Sequence, residues 1–218
     1  ILKASGAAGV IKKGNGIQVI YGPRVTVIKS NLEDYLQNSE SVNVKEEIKN
    51  EKVSKDNVPT NEVPSNNGAE TIIYSPLEGN AIPLSEVGDG VFSEEMLGKG
   101  AAVEPSKGVV TAPFDGEVSM VFVTKHAIGL KSNSGVELLI HIGIDTVKLD
   151  GKHYDIKVED GDKIKAGDLI AEFDMEAIKA EGYRVVTPVI VTNGDSFKEV
   201  NQISRGKVNS NSKLIEVK

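Results

Sequence analysis

Along residues 71–218 the apolar positions recur every second residue, in short runs broken by Gly, Asp, Asn and Pro. Successive side chains of a strand point to opposite faces, so this period marks strands packed against a core on one side. The recurring turn signals predict a mainly β domain, an antiparallel β-sandwich or barrel. Helix is expected only at 93–96 and 175–180. The clearest run is 136–145. Val136, Leu138, Ile140, Ile142 and Ile144 fall on one wholly apolar face, the expected core side, and Glu137, Leu139, His141, Gly143 and Asp145 fall on the other. Gly143 is expected to leave space beside His141. A second run, 118–126, carries His126 at its end. Consecutive antiparallel strands usually pair, so the two histidines are expected to face each other.

The pattern changes upstream. Residues 1–37 hold short β-rich runs at 16–21 and 25–28, punctuated by Gly14, Gly16, Gly22 and Pro23, and then a stretch at 31–36 that suits a short helical turn capped by Asn31. This zone is too small to bury a stable core alone. Residues 38–70 are rich in Glu, Lys, Asn, Ser and Val, lack aromatics and are interrupted by Pro59 and Pro64. Such a composition reads as a solvated linker, with a short helix near 45–52 as the competing reading. The chain opens at Ile1 in mid-pattern and reads as a piece of a longer protein.

Composition narrows the function. Aromatics make up 5% of 218 residues, so the core must be built from Val, Ile and Leu. A formal charge of -7 offers no basic field for nucleic acid, while leaving a basic protein partner open. The absence of cysteine removes disulfides, thiolate metal sites and thiol nucleophiles together. No apolar run approaches the roughly 20 residues needed to cross a bilayer, and no signal peptide is visible; the absence of cysteine fits a cytoplasmic location and is also compatible with export.

Chemistry then centres on three histidines, His126, His141 and His153. A histidine on a strand is commonly a hydrogen-bonded structural residue. The outward face and the neighbouring Gly143 favour a reactive role for His141. A neutral imidazole attacks phosphorus without a separate base, and the charged ring of phosphohistidine leaves readily. A second imidazole can donate a hydrogen bond to the phosphoryl oxygens. Asp89, between Gly88 and Gly90, and Asp145 have bland readings as turn residues, as Thr124 has as an ordinary strand residue. In the functional reading, the Thr124 hydroxyl orients His126.

Several motifs occur in order: Ser75-Pro76-Leu77-Glu78-Gly79, Gly88-Asp89-Gly90-Val91-Phe92-Ser93-Glu94, Ala112-Pro113-Phe114-Asp115-Gly116, Thr124-Lys125-His126-Ala127-Ile128-Gly129-Leu130 and residues 135–147 around His141. Together they resemble the glucose-type enzyme IIA family of the bacterial sugar phosphotransferase system. The resemblance implies an antiparallel β-sandwich. It implies that His141 accepts a phosphoryl group from the histidine-containing phosphocarrier protein and passes it to a cysteine of enzyme IIB, with no cofactor required. His126 matches the supporting histidine, Thr124 its hydroxyl partner, and Asp89 and Asp145 the flanking carboxylates. Val91, Phe92 and Phe122 match parts of an apolar docking ring, and Phe92 is expected to be exposed. Gly90 departs from the branched apolar residue common there. Residues 1–37, through 2–10 and 16–22, are similar to the C-terminal half of enzyme IIB, a small α+β remnant whose phosphocysteine would lie upstream of Ile1. The membrane enzyme IIC domain would belong to the full-length chain and tether it to the inner face of the membrane.

Three rivals remain at this stage. Residues 158–170 resemble half of a biotinyl or lipoyl carrier, but 172–177 lack the lysine that such a domain modifies. A zinc hydrolase would use His126 and His141, although the His-x-His and His-Glu-x-x-His spacings are missing. Zinc as an accessory ion on the same pair stays open. A regulatory docking module would use the same surface.

Overall fold

The computed structural model describes residues 9–13, 16–20 and 70–218. The expected strand at 25–28, the helical turn at 31–36, the linker 38–70 and its competing helix at 45–52 lie outside the described residues. In the N-terminal zone, β1 (Gly9–Lys13) and β2 (Gly16–Ile20) form an antiparallel hairpin, with Gly9 opposite Ile20.

The remaining strands fall within 71–218. They are β3 (Thr71–Tyr74), β4 (Gly79–Ile82), β5 (Lys99–Pro105), β6 (Val109–Thr111), β7 (Gly116–Val121), β8 (Ala127–Ser132) and β9 (Glu137–His141). Then come β10 (Tyr154–Ile156), β11 (Lys163–Ile164), β12 (Leu169–Phe173), β13 (Thr187–Val191), β14 (Val200–Gln202), β15 (Gly206–Val208) and β16 (Lys213–Val217). An eight-stranded antiparallel sheet runs in the order β11-β7-β8-β9-β13-β5-β4-β15. Two three-stranded sheets, β10-β12-β6 and β14-β16-β3, complete the layers. The main core lies between them: Ala101, Val118, Leu130, Leu138, Ile140 and Val189 of the large sheet meet Ile73, Val110, Ile170 and Ile215 of the small ones. The expected mainly β sandwich is therefore what forms.

The large sheet is covered on part of its other face as well. Ala102 of β5 and Ile190 of β13 point away from the main core into a second cluster with Leu84, Val87, Phe92, Ile144 and Val186. The segment between β4 and β5 supplies Leu84, Val87 and Phe92 and covers this face. Central strands covered on both faces read as continuous apolar runs, and all five residues of β13 are buried. Leu139, expected on the outward face, is 6% exposed and lies opposite Ile190 in the ladder.

Two element boundaries differ from the pattern. The run 136–145 ends as a strand at His141, because Gly143 (φ 83°) and Asp145 (φ 61°) take left-handed backbone and turn the chain. Ile144 thereby joins the second cluster rather than the main core. The run 118–126 ends at Val121, and 122–126 is the turn into β8. Of the expected helices, α1 (Met175–Ala180) forms: the Asp174 side chain accepts hydrogen bonds from Glu176 N–H (3.1 Å) and Ala177 N–H (3.0 Å), and Ile178 anchors it in the core. Residues 93–96 form turns instead. Among the described residues, no helix is long and apolar enough to cross a membrane.

Leu139 measures the burial of the second face. Leu139→Ala should cost about 2–5 kcal/mol in urea unfolding, as a buried truncation does. A cost within about 0.5 kcal/mol would be that of a surface position and would put this face in solvent.

Candidate functional site

The β8–β9 ladder brings the two histidines together. Ala127 lies opposite His141, and the N–H of Ile142 donates to the carbonyl of His126 at 2.7 Å. The imidazoles on either side of this join approach with ring centroids 4.8 Å apart, nearly edge to face at 75°. His126 stands at the end of the tight turn that follows β7. Phe122 N–H bonds to Ala127 O at 3.1 Å, Lys125 N–H bonds to Phe122 O at 2.7 Å, and Lys125 takes a positive φ of 56°.

Each ring is held through Nδ1. The Thr124 hydroxyl is 2.7 Å from His126 Nδ1, and His141 Nδ1–H donates to Gly143 O at 2.7 Å. Because a carbonyl only accepts, His141 carries its proton on Nδ1 and presents a lone pair at Nε2. The expectation that Gly143 clears space beside His141 is corrected here. A Cβ on Gly143 would lie 2.6 Å from Thr146 Cγ2 and 2.8 Å from Arg184 O, so the missing side chain makes room for the Arg184 backbone. What Gly143 gives His141 is its carbonyl.

Aromatic rings flank the pair. Phe92 lies 4.8 Å from His141, and Phe122 lies 5.5 Å from His126, edge-on. Phe92 was expected to be exposed. It is 6% exposed and belongs to the second cluster, because the segment carrying it folds onto Ala102 and Ile190. Truncating it would remove core as well as a neighbour of His141. Phe122 and Val91 are half-buried. The exposed apolar side chains near the site are ones the pattern did not single out: Val123, 91% exposed beside Thr124, and Val147, beyond Asp145.

The two carboxylates act differently. Asp89 accepts from Phe92 N–H (3.1 Å) and Ser93 N–H (3.0 Å), and so fixes the turn that sets Phe92 against His141. Burial alone would raise its pKa, but the backbone donors of Ser93, Phe92 and Val91 outweigh that and hold it below the usual carboxylate value. Asp145 is exposed in left-handed backbone, with Lys148 Nζ 3.9 Å away. Burial pushes the His141 pKa down, opposed by the Gly143 carbonyl and by the charges of Asp89 and Asp145. Burial, and then the neighbouring His141, push His126 down to about 4 despite Thr124. Both rings are neutral at pH 7.

Among the described residues, no group of three or more His, Asp or Glu side chains gathers to hold a metal. Two Nε2 atoms are half of the four ligands zinc takes. The third histidine, His153, lies apart, paired with Glu181 at 2.8 Å. The site also has a framework the sequence did not signal: Ile144 N–H bonds to Arg184 O at 2.9 Å, and Arg184 Nη1 donates to Val87 O at 2.7 Å.

The buried neutral pair has a thermodynamic signature. Between pH 6.5 and about 4 the unfolded chain binds a proton at His126 that the folded chain refuses, so the unfolded state holds more protons there. Stability should be complete above pH 6.5 and fall as pH drops towards 4. His126→Gln should flatten the slope in this window, read as urea midpoints against pH. A wild-type midpoint constant from pH 7 to 4.5 would mean the rings are solvated.

Residues 71–197 match the family described as phosphoenolpyruvate-dependent sugar phosphotransferase system, EIIA 1. Among solved structures, the chain is similar to glucose permease IIA from Mycoplasma capricolum, at 34% sequence identity and a TM-score of 0.63, over 69% of this chain and 97% of that one. With a β-sandwich presenting two facing imidazoles, the chain belongs to the EIIA 1 family, the glucose-type enzyme IIA phosphocarriers of the sugar phosphotransferase system.

Proposed function

We propose that His141 accepts a phosphoryl group at Nε2 from the histidine-containing phosphocarrier protein and passes it to a cysteine of enzyme IIB. The observation that carries this reading is the paired geometry: two imidazoles at 4.8 Å, each tied through Nδ1 at 2.7 Å, with neither Nε2 engaged by a described residue.

In the loading step the His141 Nε2 lone pair forms the N–P bond as the donor's N–P bond breaks. The ring becomes cationic and keeps its Nδ1–H on Gly143 O. The charges of Asp89 and Asp145, which favour a protonated His141, favour this cation for the same reason. Thr124 donates its hydroxyl proton to His126 Nδ1 in this reading, which places the His126 proton on Nε2, facing a phosphoryl oxygen. Phe92 and Phe122 beside the rings limit the approach of water, which would otherwise hydrolyse the N–P bond. In the unloading step a cysteine thiolate attacks phosphorus, the N–P bond breaks and the electron pair returns to His141 as a neutral ring. No cofactor takes part. An accessory zinc ion on the two Nε2 atoms would need its remaining ligands from a partner protein.

Val91, Phe92 and Phe122 are proposed to border the docking surface, with Phe92 contributing its position rather than exposed area. Residues 1–37 as an enzyme IIB remnant, 38–70 as a linker, 71–218 as the IIA domain, and tethering at the cytoplasmic membrane face through enzyme IIC complete the proposal.

The test is incubation with phosphoenolpyruvate, enzyme I and the phosphocarrier protein, followed by mapping of acid-labile phosphate. His141→Ala should take up no phosphate. Phosphate on His126 in that variant, at the wild-type rate, would reverse the assignment.

His126→Gln should still be phosphorylated but should donate to enzyme IIB much more slowly. An amide replaces one hydrogen bond but cannot retune its proton as charge leaves. Equal donation rates for the two proteins would remove His126 from the transfer step.

A further inference from the structure

Two separate pieces of chain shape the surroundings of His141. One is the turn after β9, where Gly143 O accepts from His141 Nδ1 and Ile144 begins the return path. The other is the segment after β4, where Asp89 fixes Phe92 against the His141 ring. They are distant in sequence, and neither contains regular strand pairing that would hold it to the other.

Arg184 touches both. Its backbone forms an antiparallel bridge with Ile144, with Ile144 N–H on Arg184 O at 2.9 Å. The same carbonyl oxygen fills the place a Gly143 side chain would occupy. Its guanidinium reaches the other way and donates from Nη1 to Val87 O at 2.7 Å, two residues before Asp89. Val87 is itself 1% exposed, so its carbonyl is set against the core rather than on a free loop. A charged donor on a carbonyl is stronger than a neutral hydrogen bond. Glu86, Glu104 and Lys179 line the same groove as Arg184, of about 440 Å³.

We infer that Arg184 is a positioning residue for the phosphoryl-transfer site: through its backbone on the Gly143 turn and its guanidinium on Val87, it holds the Asp89–Phe92 segment in register with His141. It touches neither imidazole and no transferred atom. Its effect on transfer therefore runs through Asp89 and Phe92, and this inference rests on the phosphocarrier reading given above.

The experiment compares wild type, Arg184→Met, Arg184→Lys, Asp89→Asn and the Arg184→Met/Asp89→Asn double variant in the full chain. Melting curves establish that each is folded, and Arg184→Gln replaces Arg184→Met if that variant is not. Phosphoryl uptake is measured against phosphocarrier concentration, and the His141 ring is titrated by NMR. Arg184→Met should lower the maximal uptake rate roughly tenfold, the size of one lost charge-assisted hydrogen bond, with KM for the phosphocarrier unchanged. Its His141 titration midpoint should move, and Arg184→Lys, which keeps one N–H for Val87 O, should restore most of both. In the double variant the loss should be less than the product of the single losses, because both act on one segment. Phosphate on His141 in wild type supports the phosphocarrier reading on its own. A wild-type rate and an unmoved titration in Arg184→Met would then overturn the Arg184 inference alone, as would strictly multiplicative losses.

Discussion

The hydrogen bond from His141 Nδ1 to the carbonyl of Gly143 decides what the site can do, and it exists because of one backbone conformation. Gly143 takes φ 83°, where side-chained residues are strained, and its carbonyl is turned back towards the ring two residues earlier. That bond fixes the tautomer, so the free ring lone pair of His141 is at Nε2. The same turn ends β9, sends Ile144 to the opposite face of the sheet from Ile140 and allows the Arg184 backbone to close against it. A side chain at 143 would collide with Thr146 and Arg184 together, so the fold and the tautomer depend on the same missing atom.

Burial has two consequences at this site that pull against each other. Removing the imidazoles from water keeps them neutral, which the proposed nucleophile requires, yet the phosphorylated ring of that proposal would be a cation, which burial disfavours. The groups around His141 answer the second problem without undoing the first. A carbonyl dipole and two carboxylate charges oppose the burial, and the net result still lies on the neutral side. Asp89 remains ionised there because backbone N–H groups outweigh its own desolvation.

The fold was legible in the sequence wherever alternation reflected a single buried face. Residues 136–141 show this, with Leu138 and Ile140 inward and His141 outward. The alternation also overran the strands. It continued through Ile144 and through Val123, because two left-handed turns interrupt the backbone without interrupting the spacing of apolar residues. His126, Thr124, Asp89 and Asp145 were legible through their motifs. Phe92 was read as exposed because glycine-flanked, aperiodic segments usually are. Its burial depends on Ala102 and Ile190, which lie on the face of the large sheet away from the main core. Arg184 gave no signal, since a guanidinium bound to a backbone carbonyl leaves no trace in residue type at the other end.

The register of β8 against β9 has a consequence for energy storage. Ala127 opposite His141 fixes the spacing of the imidazoles through sheet hydrogen bonds, and both Nδ1 contacts are made before any phosphate arrives. Loading the proposed carrier would then need no new contact at either Nδ1, and unloading would break none. In the proposed cycle the transfer potential of the phosphoryl group would stay in the N–P bond rather than in a rearranged protein, and the exchange between carrier and partner would run in either direction, as the loading of each demands.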